Sequence, residues 1–179
     1  MYEEDYFTKS TYKPYFDFPA HSERVAKIIN IAHPKSVLDV GCAYGYIVRR
    51  LLWKGVDAWG CDISQWCEEQ AKTIIPERFI RTPCWDLSMF KDKQFDLLYC
   101  EGVLEHIDEN KITLVMNEFE RVSKERFLQV AFITDPNVTQ EYGHDNLHDY
   151  NWWFNYMPKY SWLAMNGASN NSIAWFYKG

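Results

Sequence analysis

A chain of 179 residues that is 47% hydrophobic and 25% charged has the apolar content of a folded domain, which excludes a disordered or low-complexity chain. The formal net charge of −6 repels nucleic-acid backbones, so nucleic acid is disfavoured as a partner. No apolar run approaches the ~18 residues of a membrane span, and the acidic, aromatic start Met1-Tyr2-Glu3-Glu4-Asp5-Tyr6 has neither the basic nor the apolar region of a signal peptide.

The predicted elements alternate. Residues 1–20 form an arm rich in aromatics (Tyr6, Phe7, Tyr12, Tyr15, Phe16). His21 to Ala32 carries Val25, Ile28, Ile29 and Ala32 at helical spacing, and Pro34 stops it. Ser36 to Val40 reads as a buried strand, Gly41 to Gly45 as a turn, and Tyr46 to Lys54 as a helix closed by Gly55. Val56 to Cys61 is a second strand, followed by a helix with Ser64 at its N-cap. Phe79-Ile80 marks a third strand and Phe95 to Cys100 a fourth. Glu109 to Val122 reads as a helix with Ile112, Val115, Met116 and Phe119 on one face, and Phe127 to Ile133 as a fifth strand.

Strands separated by helices imply an α/β fold with a doubly wound, mostly parallel sheet. After Asp135 the pattern changes. Residues 135–150 read as a polar loop, Asn151 to Tyr156 as a short helix, and Ser161 to Met165 and Ile173 to Tyr177 as two strands around a turn-rich connector. That predicts seven strands, the last two an antiparallel pair, in one domain spanning 1–179. The five cysteines (Cys42, Cys61, Cys67, Cys84, Cys100) are odd in number and form no C-x-x-C. Buried free thiols in a reducing, cytoplasmic setting are expected, the alternatives being a zinc site or a disulfide framework.

The informative segment is Val37-Leu38-Asp39-Val40-Gly41-Cys42-Ala43-Tyr44-Gly45. A strand ends in an acid and a glycine turn opens a helix, the place where open α/β sheets bind ligands. The dinucleotide fingerprint Gly-x-Gly-x-x-Gly is met only at Gly41, since Ala43 and Tyr46 occupy the other two glycine positions. That disfavours a nicotinamide-dependent oxidoreductase. A phosphate loop is excluded because Gly45 precedes Tyr46 and not a lysine. Asp39 would repel a pyrophosphate and attract an ammonium or sulfonium group. Asp62, after the second strand, can accept from ribose hydroxyls, and Asp86, after the third, from an adenine amino group.

These segments resemble the class I, Rossmann-like S-adenosylmethionine-dependent methyltransferases. Val37 to Gly45 looks like the first family motif and Gly60-Cys61-Asp62-Ile63-Ser64 like the second. Phe95-Asp96-Leu97-Leu98-Tyr99-Cys100-Glu101, continued through Gly102 to Ile107, looks like the fourth-strand motif. The likeness covers about residues 21–133 and departs at Ala43, where many members have glycine. It implies S-adenosylmethionine as cofactor and S-adenosylhomocysteine as product. Asp39, Gly41 and Gly45 would line the methionine end, Asp62 the ribose and Asp86 the adenine. Cys42, Ala43, Ile63 and Leu87 are expected among the cofactor contacts, and Glu101 near both the methionine moiety and the acceptor. The arm resembles leaders that fold over the cofactor in some members; simple packing onto the core is the alternative.

Methyl transfer from a sulfonium is mainly a matter of alignment, and a base is needed only for an acceptor such as a hydroxyl. The candidate bases are His148, His106 and His144. His148 loosely resembles the histidine that such enzymes present after the fifth strand. Some relatives bind a metal with Glu-x-x-Glu-His; here Gly102 replaces the first glutamate of the run ending Glu105-His106, so no metal is expected. The aromatics of 152–162 suit an acceptor pocket or a core under the terminal strands. A small-molecule acceptor bound by the arm and the 135–160 loop is the expectation. The alternative function is a non-catalytic cofactor-binding module serving as a partner subunit or sensor.

Overall fold

Short apolar strands returned by amphipathic helices pair in parallel, because each helix carries the chain back over the sheet. The structure, a computed structural model, describes residues 2–9, 15–131, 146, 148–156, 161–163 and 172–178. Its helices are α1 (Glu4–Lys9), α2 (Pro19–Ala32), α3 (Tyr46–Trp53), α4 (Gln65–Ile74), α5 (Ile112–Val122) and α6 (Tyr150–Tyr156). Its strands are β1 (Ser36–Val40), β2 (Asp57–Asp62), β3 (Phe79–Arg81), β4 (Phe95–Glu101), β5 (Ser123–Ala131), β6 (Ser161–Leu163) and β7 (Ser172–Tyr177). The sheet order is β3-β2-β1-β4-β5-β7-β6. The pairs β1–β2, β2–β3 and β4–β5 are parallel, and β5–β7 and β6–β7 antiparallel. This is the Rossmann-like α/β sheet with an antiparallel C-terminal pair that the sequence pattern predicts. No helix is long and apolar enough to cross a membrane among the described residues.

By internal packing the chain divides into two compact units, Met1–Cys84 and Trp85–Gly179. In the first, α2 buries Val25 and Ile28 and ends at His33, whose left-handed backbone (φ 45°) returns an N–H to Ile29 O. In β1, Val37, Leu38 and Val40 are buried, and Asp39 is in register with Gly60 of β2. Ser64 caps α4 as expected, its Oγ accepting from Cys67 N at 3.1 Å.

In the second unit, α5 fully buries Ile112, Val115, Phe119 and Val122 along one face. The expected helix from Glu109 starts instead as a 3-10 turn, Glu109–Lys111, because Asp108 Oδ1 accepts from Asn110 N and tightens the first turn. β5 begins at Ser123, four residues before the apolar run at Phe127 that marked it in the sequence. Its polar opening is strand because it pairs with β4 from Phe95↔Ser123 onward and, from Arg126, with β7. Arg126 is buried with its guanidinium 4.1 Å from the Tyr177 ring centroid. The expected strand ends at 132–133 and 164–165, and the connector 166–171, lie outside the described residues.

Candidate functional site

The turn between β1 and α3 is built by backbone. Gly41 N and Cys42 N both donate to Cys61 O at the end of β2, at 2.8 and 3.1 Å, and Gly45 N closes onto Cys42 O at 2.9 Å. Gly41, Ala43 and Gly45 all have left-handed backbones (φ 73°, 48° and 84°). A side chain on Gly45 would also meet Ile75 Cδ1 at 2.3 Å. Ala43 is the one non-glycine of the three, and a hydrogen bond from its N–H to Asp62 Oδ2 (3.0 Å) holds it there. Asp62 uses its other oxygen for Ser64 N, also at 3.0 Å, so one carboxylate ties the β1 turn to the β2 turn. Burial pushes the Asp62 carboxyl above its ordinary range, although N–H groups of Ser64, Ala43 and Ile63 pull the other way. Asp39 is buried (3% exposed) one residue before the strand ends, while Ile63 is exposed beside Asp62.

The N-terminal arm packs on this turn. Phe7 of α1 is buried together with Ala43, Tyr44 and Cys67, which is worth on the order of 2 kcal/mol for the phenyl ring alone. Tyr44 accepts from the Trp66 indole at 2.8 Å, and Glu3 accepts from Trp66 N at 3.1 Å at the start of α4. Where the arm meets α2, Asp17 pairs with Arg49 (2.6 Å) and with Arg50, and accepts from His21 (3.2 Å). Burial holds buried His21 below the usual imidazole range, against the Asp17 hydrogen bond.

In the second unit the corresponding acids draw on side chains as well as backbone. Asp86 is exposed and accepts from Ser88 N at 3.2 Å; hydrogen bonds from Ser88 hold its carboxyl below the ordinary range. Leu87 is fully buried, and both its backbone groups are taken by α5: its N–H donates to Glu118 Oε2 (2.8 Å) and its carbonyl accepts from Arg121 Nη2 (2.9 Å). Glu101 ends β4 half-buried and accepts from the Tyr99 hydroxyl. After Gly102 (φ 68°), Leu104–His106 form a 3-10 turn with Glu105 buried and His106 half-buried. Asn146 is buried and docks on that turn, donating N–H to Glu105 O (3.0 Å) and Nδ2 to Leu104 O (3.4 Å). His148 stacks on Trp152 (3.7 Å, 9°) and pairs with Glu109 at 3.4 Å.

The structure thus gathers Asp39, Gly41, Cys42, Ala43, Gly45, Asp62 and Ile63 around the two turns of the first unit. In the second unit it places Asp86 and Leu87 on the turn held by α5, Glu101 and His106 around the exit of β4, and His148 beside α6. His144 lies outside the described residues. The residues not singled out by the sequence are Glu3, Trp66, Asn146, and the pair Glu118 and Arg121. None of these left a readable trace; Gly60, which opens the second motif, did, as a glycine inside a strand, and a side chain there would meet Cys42 Sγ at 2.6 Å. All five cysteines are buried free thiols. Among the described residues no group of three or more His, Cys, Asp or Glu could hold a metal ion.

A family model described as "Methyltransferase domain" matches residues 37–126. Two Rickettsia bellii proteins named ubiquinone biosynthesis O-methyltransferase, from strains OSU 85-389 and RML369-C, are 26% identical over 124 residues, 66% of this chain and 49% of theirs. The chain therefore spans about half the length of these curated relatives. The PH0226 protein from Pyrococcus horikoshii OT3 superposes with a TM-score of 0.78 at 18% identity, over 98% of both chains. The magnesium protoporphyrin IX methyltransferase from Synechocystis PCC 6803, solved with bound SAH, gives a TM-score of 0.65 at 16% identity, over 88% of this chain and 80% of that one. At these identities the structural likeness is one of fold.

Proposed function

The chain belongs to the methyltransferase domain family, and from that membership we propose that it transfers the methyl group of S-adenosylmethionine to an oxygen or nitrogen of a small-molecule acceptor, leaving S-adenosylhomocysteine. The observation that carries this reading is the pairing of a buried carboxylate, Asp39, with a backbone-built glycine turn tied to Asp62. The residues fit such a cofactor. At Gly45 the space a side chain would need is taken by Ile75, so the turn keeps a bare backbone there, and the buried carboxylate of Asp39 favours a cation over a phosphate. Asp62 accepts from the backbone N–H groups of Ala43 and Ser64, with that of Ile63 close by, and a carboxylate has lone pairs beyond these to accept from ribose hydroxyls. The solved Synechocystis relative carries SAH.

The bound sulfonium supplies a methyl group that is already electrophilic, so the protein's own task is positioning. Asp39 holds the ammonium of the amino-acid end, with Gly41, Cys42, Ala43 and Gly45 shaping the wall around it. Asp62 fixes the ribose beside Ile63. Asp86, exposed and held ionised by Ser88, accepts from the adenine amino group, with Leu87 setting its turn. We assign Glu101, as the family resemblance implies, to the methionine moiety and the acceptor. His148 takes the acceptor proton where the acceptor is a hydroxyl; His106 and His144 are the other candidate bases. We read 1–179 as one methyltransferase domain, with 1–20 as the arm and 135–160 as the acceptor-side loop, working in the cytoplasm, where five buried thiols stay reduced.

Calorimetry with S-adenosylhomocysteine tests the reading. Uptake at micromolar concentration, with a raised melting temperature and no response to NAD, is expected. Folded protein that takes up neither S-adenosylmethionine nor S-adenosylhomocysteine at millimolar concentration would sink it.

A further inference from the structure

We infer that Tyr15, at the end of the N-terminal arm, is a cofactor-binding residue whose hydroxyl donates to the α-carboxylate of the cofactor's amino-acid end. The inference rests on the reading of the first-unit turn as the site of S-adenosylmethionine. Tyr15 is fixed from several sides. Its N–H donates to Phe7 O at 3.0 Å. Its ring meets Tyr44 of the glycine turn edge-on (4.9 Å, 82°), stacks near Tyr46 (5.9 Å, 25°) and touches Phe7 edge-on (5.8 Å, 74°). This packing decides where the hydroxyl stands, yet among the described residues nothing hydrogen-bonds to that hydroxyl. A hydroxyl so firmly oriented, with no hydrogen bond among the described residues and not sealed off by protein, is open to a ligand atom.

The surrounding charges indicate which atom. Burial, and next the Asp39 carboxylate, raise the Tyr15 phenol well above its ordinary range, so it stays a neutral donor at every working pH. Arg24 acts on the same hydroxyl with a positive charge. An amino acid carries ammonium and carboxylate on one carbon. With the ammonium on Asp39, the carboxylate lies within a few ångströms, and between Asp39 and Asp62 it would be repelled unless a donor met it. Tyr15 is a donor of that kind, fixed against the turn and charge-free, so it meets the carboxylate without competing for the ammonium.

The test compares two adenosyl thioethers by calorimetry. S-adenosylhomocysteine has the amino-acid end, and 5′-methylthioadenosine lacks it. Tyr15→Phe keeps the ring and its packing and removes one oxygen, so the variant is expected to fold. It should bind S-adenosylhomocysteine about 10- to 100-fold more weakly, the loss of one hydrogen bond to a charged group, and 5′-methylthioadenosine within about twofold of wild type. Asp39→Asn serves as the reference and should show the same selective loss. Equal weakening of both ligands would make Tyr15 a packing residue and overturn the inference, as would no change in either. If Asp39→Asn is selective and Tyr15→Phe is not, the inference falls and the cofactor reading stands. If wild type binds neither ligand, both fall.

Discussion

The two units position their acids by different means. In the first, Asp62 bonds to backbone N–H groups, and the turn it ties is made of backbone conformations that favour glycine. In the second, the turn after β3 is pinned by two side chains of α5, Glu118 and Arg121, that come from more than thirty residues away in sequence. A site made by backbone is local and leaves its mark as glycines and strand-end acids. A site made by distant side chains leaves none, because glutamate and arginine on a helix read the same whether they clamp a loop or face water.

Substitutions can break or sharpen this contrast, and the largest effect belongs to the backbone. Gly45→Ala adds a methyl at φ 84°, where it also meets Ile75. It should cost about 3 kcal/mol in urea unfolding and abolish S-adenosylhomocysteine binding. Arg121→Met should cost somewhat less, about 2 kcal/mol, since it strips donors from the Leu87 and Phe90 carbonyls and leaves Glu118 with the Leu87 N–H but no cation. If the two units are built as described, that loss appears with Gly41 to Gly45 unperturbed in amide exchange.

Asp62→Ala unties two N–H groups and should lower stability by about 1–2 kcal/mol, with cofactor affinity reduced more than tenfold. A smaller effect is expected from pH. The folded protein holds His21 below its ordinary value, chiefly by burial and also through the charges of Arg24 and Arg50, with Asp17 opposing. The unfolded chain therefore binds this proton more readily. Stability is retained above the unfolded imidazole range and is lost as pH falls through the folded value. The melting temperature should drop from pH 7 to 5, and His21→Gln should flatten that slope. Smallest of all, Asp86→Ala at its exposed position should leave the urea midpoint where it was while weakening S-adenosylhomocysteine binding. Asp62 and Asp86 are both proposed cofactor ligands, but Asp62 joins two turns nineteen residues apart, whereas Asp86 bonds to Ser88 two residues on.

Legibility followed the same division. β1 matched its expected bounds because its apolar run, the proline before it and the glycines after it are all local signals. The start of β5 did not, because Ser123-Lys124-Glu125-Arg126 carries no strand pattern, and pairing with β4 and β7 decides its conformation. The helix α1 was likewise hidden. Six residues are too few to propagate a helix alone, and Phe7 holds it by burial against Tyr44 and Cys67.

What the amino-acid sequence determined by itself was the alternation of strand and helix, the acid-then-glycine turn after β1, and the order of acids down the chain. These depend on backbone geometry and hydrophobic period, which neighbouring residues set. Only the tertiary structure decided that Asp62 reaches back nineteen residues to Ala43, that Asn146 docks on Leu104 and Glu105, and that Tyr15 comes to rest on Tyr44. Those are contacts between side chains and remote segments. Their formation depends on how the core brings the chain together, and a residue's type does not say which distant partner it will meet.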